Sequence, residues 1–215
     1  AVADPNGKNW QNILQISFTE DLPETLSESL KLNWWQEDKI VFNNPGELDK
    51  TSSLFVIDPA GDDLNTVITD IAGLEALPSP FDNKVLFSTN TQAGKLAPIK
   101  LFDLESEIVS DLTIQAIAPK CLWFESDSIF CAVPQNLASD TKLPDALNQN
   151  EFDFHDQLIA IDTSSGKAVT VYEDTDFPKP MNIEPLFFSS DQRWFYFINQ
   201  IDHTLYRAAT VPREE

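Results

Sequence analysis

Cysteine, histidine and methionine are nearly missing from this chain, at two, two and one among 215 residues. So few Cys and His exclude a Cys/His-rich metal centre, and no C-x-x-C, H-E-x-x-H, G-x-S-x-G, Walker-type loop or G-x-G-x-x-G occurs. Basic residues are scarce as well, 14 Lys and Arg against 35 Asp and Glu, for a net charge of −21. Such a surface repels a phosphate backbone and an anionic membrane, so nucleic acid is excluded as a partner. No apolar run approaches the roughly 18 residues of a membrane-spanning helix. The opening AVADPNG has no initiator Met, which fits either a removed leader or a cut fragment.

What the chain does contain is aromatic and aliphatic: 42% hydrophobic residues, 15 Phe and five Trp, with 14 Pro against six Gly. That supports a packed core and favours short strands with punctuated turns over long helices. Only LPETLSESLK (22–31) has a helix-like composition.

The strands recur. QEDKIVF, FDNKVLF, ESDSIFC and SDQRWFYF each pass from a polar turn into an apolar strand, ending at Phe42, Phe87, Cys131 and Phe197. These anchors are 45, 44 and 66 residues apart, and the first two steps match propeller blades of roughly 40–50 residues. A second signature ends the following strand on Asp58, Asp103 and Asp162; the first two lie 16 residues beyond their anchors and the third 31 beyond, so the third unit carries an insertion. A strand precedes each polar turn (LKLNWW, 74–80, IAPKCLWF, IEPLFF), and NTVITDI and KAVTVYE follow the Asp. About four strands per unit with short turns describe an all-β, antiparallel β-propeller. A β-sandwich is the alternative, and it would not require the repeat.

The polar turn, aromatic strand and following L-[FY]-x-[ILV]-D pattern resemble the WD40-like blade of TolB-type β-propellers over about residues 27–210. The third unit is similar to a segment of envelope-associated bacterial propeller proteins through Cys121 and Cys131, Val133–Pro134, Pro144–Asp145 and Asp156–Leu158. That resemblance implies no catalytic residue. Four units are expected at about 27–72, 73–116, 117–176 and 177–215, with 1–26 (including NWQNILQISF) supplying a strand to another blade. Four is the lower end of the 4–8 blades that close a propeller, so the chain reads as part of a larger one.

In CLWFESDSIFC the two cysteines lie five residues either side of Ser126. A hairpin centred there sets Trp123 opposite Ile129, Leu122 opposite Phe130 and Cys121 opposite Cys131. Cross-strand Cβ atoms about 4.5–5.5 Å apart are close to disulfide reach, so a bridge is expected in place of an apolar pair such as Leu32 opposite Phe42. A structural disulfide implies an oxidising, extracytoplasmic compartment.

Candidate chemistry concentrates in the insertion 133–156, with Asp140, Asp145, Glu151, Asp153, His155 and Asp156. This loop is the expected partner surface, since long loops in compact domains are often functional. Its oxygens also suit calcium, although their spacing departs from the D-x-[DN]-x-[DN]-G loop. DPAGDD (58–63) reads as a polar turn. His155 and His203 read as turn residues, and no catalytic or metal residue is assigned. Trp34, Trp123 and Trp194 occupy repeated strand positions and are expected in the blade core. The expected function is a non-enzymatic binding or scaffold propeller for a protein or envelope polysaccharide. The alternatives are a carbohydrate-active hydrolase with two channel carboxylates, and a structural or gating domain of a longer polypeptide whose missing blades come from another segment or chain.

Overall fold

The computed structural model describes residues 6–13, 30–36, 38–44, 51–91, 93–137, 141–143 and 154–210. The strands pair in sequence order as four antiparallel sheets, the blades of a β-propeller. The first holds β1 (Lys31–Trp35), β2 (Lys39–Asn43), β3 (Thr51–Ile57) and β4 (Asn65–Ala72). The second holds β5 (Glu75–Pro78), β6 (Lys84–Ser88), β7 (Lys100–Asp103) and β8 (Ile108–Asp111). The third holds β9 (Cys121–Glu125), β10 (Ser128–Pro134), β11 (Asp156–Asp162) and β12 (Ala168–Tyr172). The fourth holds, among the described residues, β13 (Ile183–Phe188), β14 (Trp194–Asn199) and β15 (Thr204–Ala209).

Burial explains the sequence pattern. In blades two and three the second strand sits between two covered faces, so Val85, Leu86 and Phe87 in β6 and Ile129 to Val133 in β10 are all buried. The fourth strands lie outside, and every residue of β8 is exposed. Three apolar cores tie the blades in series. Val41, Leu54 and Val56 pack with Val85 and Phe87 between blades one and two. Leu86, Ile99 and Leu101 pack with Cys121, Trp123 and Cys131 between two and three. Phe130, Ala132 and Leu158 pack with Leu186, Phe195 and Phe197 between three and four. Among the described residues no core cluster joins blade four to blade one.

The repeated aspartates cap the turns into the outer strands. Asp103 Oδ1 accepts the Glu105 and Ser106 N–H at 2.9 and 3.0 Å, and Asp162 Oδ1 accepts the Ser164 and Ser165 N–H at 3.0 and 2.8 Å. Asp58 Oδ1 accepts the Asp62 N–H at 2.7 Å, which makes DPAGDD a turn as expected. Hydrogen bonds from the Ser164 side chain and the Ser165 N–H hold the Asp162 carboxyl at about 2.

The third-blade hairpin has Cys121 opposite Cys131 and Trp123 opposite Ile129, and the cysteines form a disulfide with Cα atoms 4.0 Å apart. Its turn is Ser126–Asp127, with Glu125 opposite Ser128; a bulge between Ser128 and Ile129 restores the expected register.

The expectation for the core tryptophans needs correction. Trp34 is 58% exposed and Trp194 only partly buried; Trp35, beside Trp34, is the core residue, with Nε1 donating to the Ser79 carbonyl at 2.7 Å. Of the expected N-terminal strand, residues 9–13 are described: Gln11 forms a β-bridge, and Ile13 packs against Ile40, Phe42 and Ile57 of blade one. The rest of that segment, and LPETLSESLK before Leu30, lie outside the described residues.

Candidate functional site at the channel mouth

Each blade begins with its innermost strand, so the first residues of β1, β5, β9 and β13 come together at one end of the propeller axis. Charged residues occupy that end: Lys31 opens β1, Glu75 opens β5, Lys120 ends the 3-10 turn (Ala118–Lys120) before β9, and Glu184 is second in β13. Asp156, the first residue of β11, reaches the same end through the insertion.

Lys120 and Asp156 are both fully buried, and Lys120 Nζ lies 2.6 Å from Asp156 Oδ2. Lys120 Nζ also donates to Asn182 Oδ1 at 2.9 Å and sits 4.4 Å from the centre of the Phe154 ring. Asp156 Oδ2 accepts the Ile183 N–H at 2.7 Å, and the Asp156 N–H donates to the Met181 carbonyl at 2.8 Å. Burying two ions costs several kcal/mol each, and this geometry offsets it by giving the ammonium three partners. Burial pushes the Asp156 carboxyl up, while Lys120 and the Ile183 N–H pull it back. The pair ties the third blade, the foot of the insertion and the entry to blade four together.

A second pair joins Lys31 Nζ to the buried Glu75 Oε2 at 2.6 Å, linking the inner strands of blades one and two. Glu75 Oε1 and Asp156 Oδ1 are buried without a protein hydrogen-bond partner. Glu184 forms no ion pair among the described residues; burial pushes its carboxyl up against the pull of Lys120 and Lys31, and Asp156 and Glu75 push the same way as burial. Of three carboxylates at the mouth, two are therefore neutralised by lysine and one is not.

The legs of the insertion rest on this face. Phe154 and Leu143 pack with Leu96 and Ile117, and Asn90 Nδ2 donates to the Leu143 carbonyl. At the neck the Gln135 N–H donates to the His155 carbonyl and the His155 N–H to Asn136 Oδ1, at 2.8 and 2.9 Å. The structure thus brings His155 and Asp156 to the mouth. Asp156, grouped by sequence with solvent-facing oxygens, is internal because Lys120 claims it. His155 belongs to the neck, whereas His203 lies in the β14–β15 turn as expected. Asp140, Asp145, Glu151 and Asp153 lie outside the described residues, among which no acid or His cluster of metal-binding size occurs. Lys120, Glu75 and Glu184 were not legible from any motif; their shared signal is their place at the head of each inner strand.

At the opposite end, a cleft of about 920 Å3 opens between blades one and two, lined by Asp38, Lys39, Asp58, Asp63 and Glu107. No helix among the described residues is long and apolar enough to cross a membrane.

No family model matches the chain, and no curated protein matches it in sequence. Solved structures do. TolB from Acinetobacter baumannii superposes at a TM-score of 0.53 with 15% identity, over 80% of this chain and 39% of that one. The TolB candidate of Agrobacterium tumefaciens gives 0.53 and 16%, over 85% and 58%. The fold is that of a TolB-type β-propeller. An oligogalacturonate lyase in complex with manganese shares it at 0.51 and 14%, over 81% and 46%. At such identities the likeness concerns the propeller alone. The chain spans less than three-fifths of each of these propeller-bearing proteins.

Proposed function

We propose that this is an extracytoplasmic binding or scaffold propeller, which recognises a protein or envelope polysaccharide with the mouth face and the 133–156 insertion. The observation that carries this reading is the anchoring of the insertion. Its legs are fixed to the inner-strand ends by the Phe154 contacts and the buried Lys120–Asp156 pair. A loop held so firmly at its base presents its tip at low ordering cost, which is what a recognition element needs. The disulfide supports an oxidising compartment. The pairing of two mouth carboxylates with lysines speaks against hydrolysis, because a glycosidase needs two carboxyl groups available to the scissile bond.

The test replaces residues 144–153 by a short Gly-Ser linker, leaving Leu143 and Phe154 in place, and compares capture of envelope proteins and polysaccharides on immobilised native and shortened chains. Loss of capture with unchanged thermal stability is expected. Equal capture by both chains would remove the insertion from the reading, and release of new reducing ends from a captured polysaccharide would make the protein an enzyme.

A further inference from the structure

The mouth holds hydrogen-bond acceptors that the protein does not match with donors. Glu75 Oε1, Asp156 Oδ1 and Asn44 Oδ1 are all buried without a protein partner. Asn44 belongs to the same end of the axis, because it follows Asn43, which pairs with Lys31 across β1 and β2. An unmatched buried acceptor destabilises a fold, more so where it carries charge. Three of them at one end mark the place of a donor from outside the chain.

The charges show the same deficit. Lys31 pairs with Glu75 and Lys120 with Asp156, so two lysines meet three carboxylates and Glu184 is left over. All four of those groups act on the Glu184 carboxyl: the lysines favour its ionisation, while Glu75 and Asp156 oppose it. Glu184 is only partly buried, whereas Glu75 and Asp156 are fully covered, so Glu184 is the member of the group that a solute reaches. What the mouth lacks is one positive charge together with several N–H donors. A lysine ammonium supplies both, with three donors and no acceptor to repel the carboxylates. A divalent metal fits less well, since no acid or His cluster of metal-binding size occurs among the described residues.

We propose that the mouth takes a lysine side chain of a protein partner, with Glu184 as the counter-ion of its ammonium and the unmatched oxygens of Asn44, Glu75 and Asp156 as further acceptors. This rests on the reading of the mouth as a recognition face and names the group recognised there. A covered group of carboxylates favours a charge carried on a slim, flexible four-carbon stem. An amino sugar holds its ammonium directly on a broad ring, and the mouth offers no exposed aromatic face for that ring among the described residues: Phe154 is 1% exposed. The net charge of −21 also draws a basic segment from a distance.

Calorimetric titration of the whole chain with end-capped tetralysine tests this, at about 0.15 M salt, where charges more than about 8 Å apart are screened. The same peptide with its side-chain amines acetylated and a glucosamine tetramer are the other probes. Wild type should bind tetralysine and neither of the others. Glu184→Gln is nearly isosteric, and a thermal melt verifies its fold; it should weaken tetralysine binding at least about tenfold, through loss of a charge-assisted hydrogen bond. Glu125→Gln removes the same charge at the far end of β9, where the side chain is exposed, and should alter the affinity less than about twofold. Absence of tetralysine binding, or equal weakening by both substitutions, would overturn the proposal and leave the mouth oxygens to water. Binding of the glucosamine tetramer in place of tetralysine would overturn it in favour of an amino sugar. A partner that is lost on shortening the insertion but kept by Glu184→Gln would overturn this inference while the binding reading stands.

Discussion

Lys120 and Asp156 form an ion pair inside the protein at 2.6 Å, where the third blade, the insertion and the fourth blade converge. The remaining lysine partners are a side-chain carbonyl and an aromatic face, and both ions are fully buried. Removing one member leaves a buried, unmatched charge. Lys120→Met or Asp156→Asn should therefore cost about 3–5 kcal/mol in urea denaturation. The double variant Lys120→Met/Asp156→Leu should cost less than the two single changes together, because no charge is stranded. Additive losses would show that the pair is not coupled as its geometry requires.

The Cys121–Cys131 bridge closes a short hairpin whose cysteines both lie in the core between blades two and three. Reduction, or Cys121→Ala with Cys131→Ala, should lower unfolding stability by about 2–3 kcal/mol on the chain-entropy argument. Mass spectrometry after alkylation should find both thiols protected until reductant is added. Two alkylated thiols in the folded, unreduced protein would contradict the bridge.

Gly61 and Gly166 both have left-handed backbones, at φ +93° and +70°, yet their surroundings differ. A Cβ on Gly61 would overlap the Ile13 carbonyl, while one on Gly166 would meet open space. Gly166→Ala should cost about 1–2 kcal/mol, the conformational term alone. Gly61→Ala should cost more and loosen residues 6–13 from blade one, read as faster proteolysis near Ile13. Equal effects of the two substitutions would argue against that packing.

Glu184 sets a pH dependence. Burial raises its carboxyl above the ordinary 4.5 in the folded protein, so the folded state holds the proton more tightly than the unfolded chain. The stability this gives is complete below the ordinary value and is lost as pH rises through the folded one. Glu184→Gln removes that loss. The variant should melt higher than wild type at neutral pH, with the gap shrinking as pH falls through the folded value towards 4.5 and constant below it. Asp162, Asp191 and Asp202, each lowered to about 2, act in the opposite sense, losing stability as pH falls towards that value. They are common to both proteins, so the difference isolates Glu184. A gap that widens in acid would reverse its assigned role.

Much of the blade pattern was legible because it is local. The polar turn followed by KIVF, KVLF, SIFC or WFYF is a second strand with its turn, and Asp103 or Asp162 caps a turn within its own few residues. The cysteine register followed from symmetry about one hairpin. The mouth was illegible because its partners belong to different strands and blades. Asp156 carries no local mark separating it from the acids of the insertion, and only the meeting of β11 with the turn before β9 makes it internal.

Trp34 and Trp123 show where the division falls. Alternation along a strand determined that both project from the same side of their blades, since side-chain direction has a period of two residues. Whether that side is a core depends on a neighbouring sheet, which no strand encodes within itself. Blade two covers Trp123, and no described blade covers Trp34. The sequence by itself determined strands, turns, repeat and bridge, all set by contacts close along the chain. Tertiary structure alone decided which faces are buried, which charges pair at the mouth and which apolar surface remains open, because those depend on what the fold brings alongside.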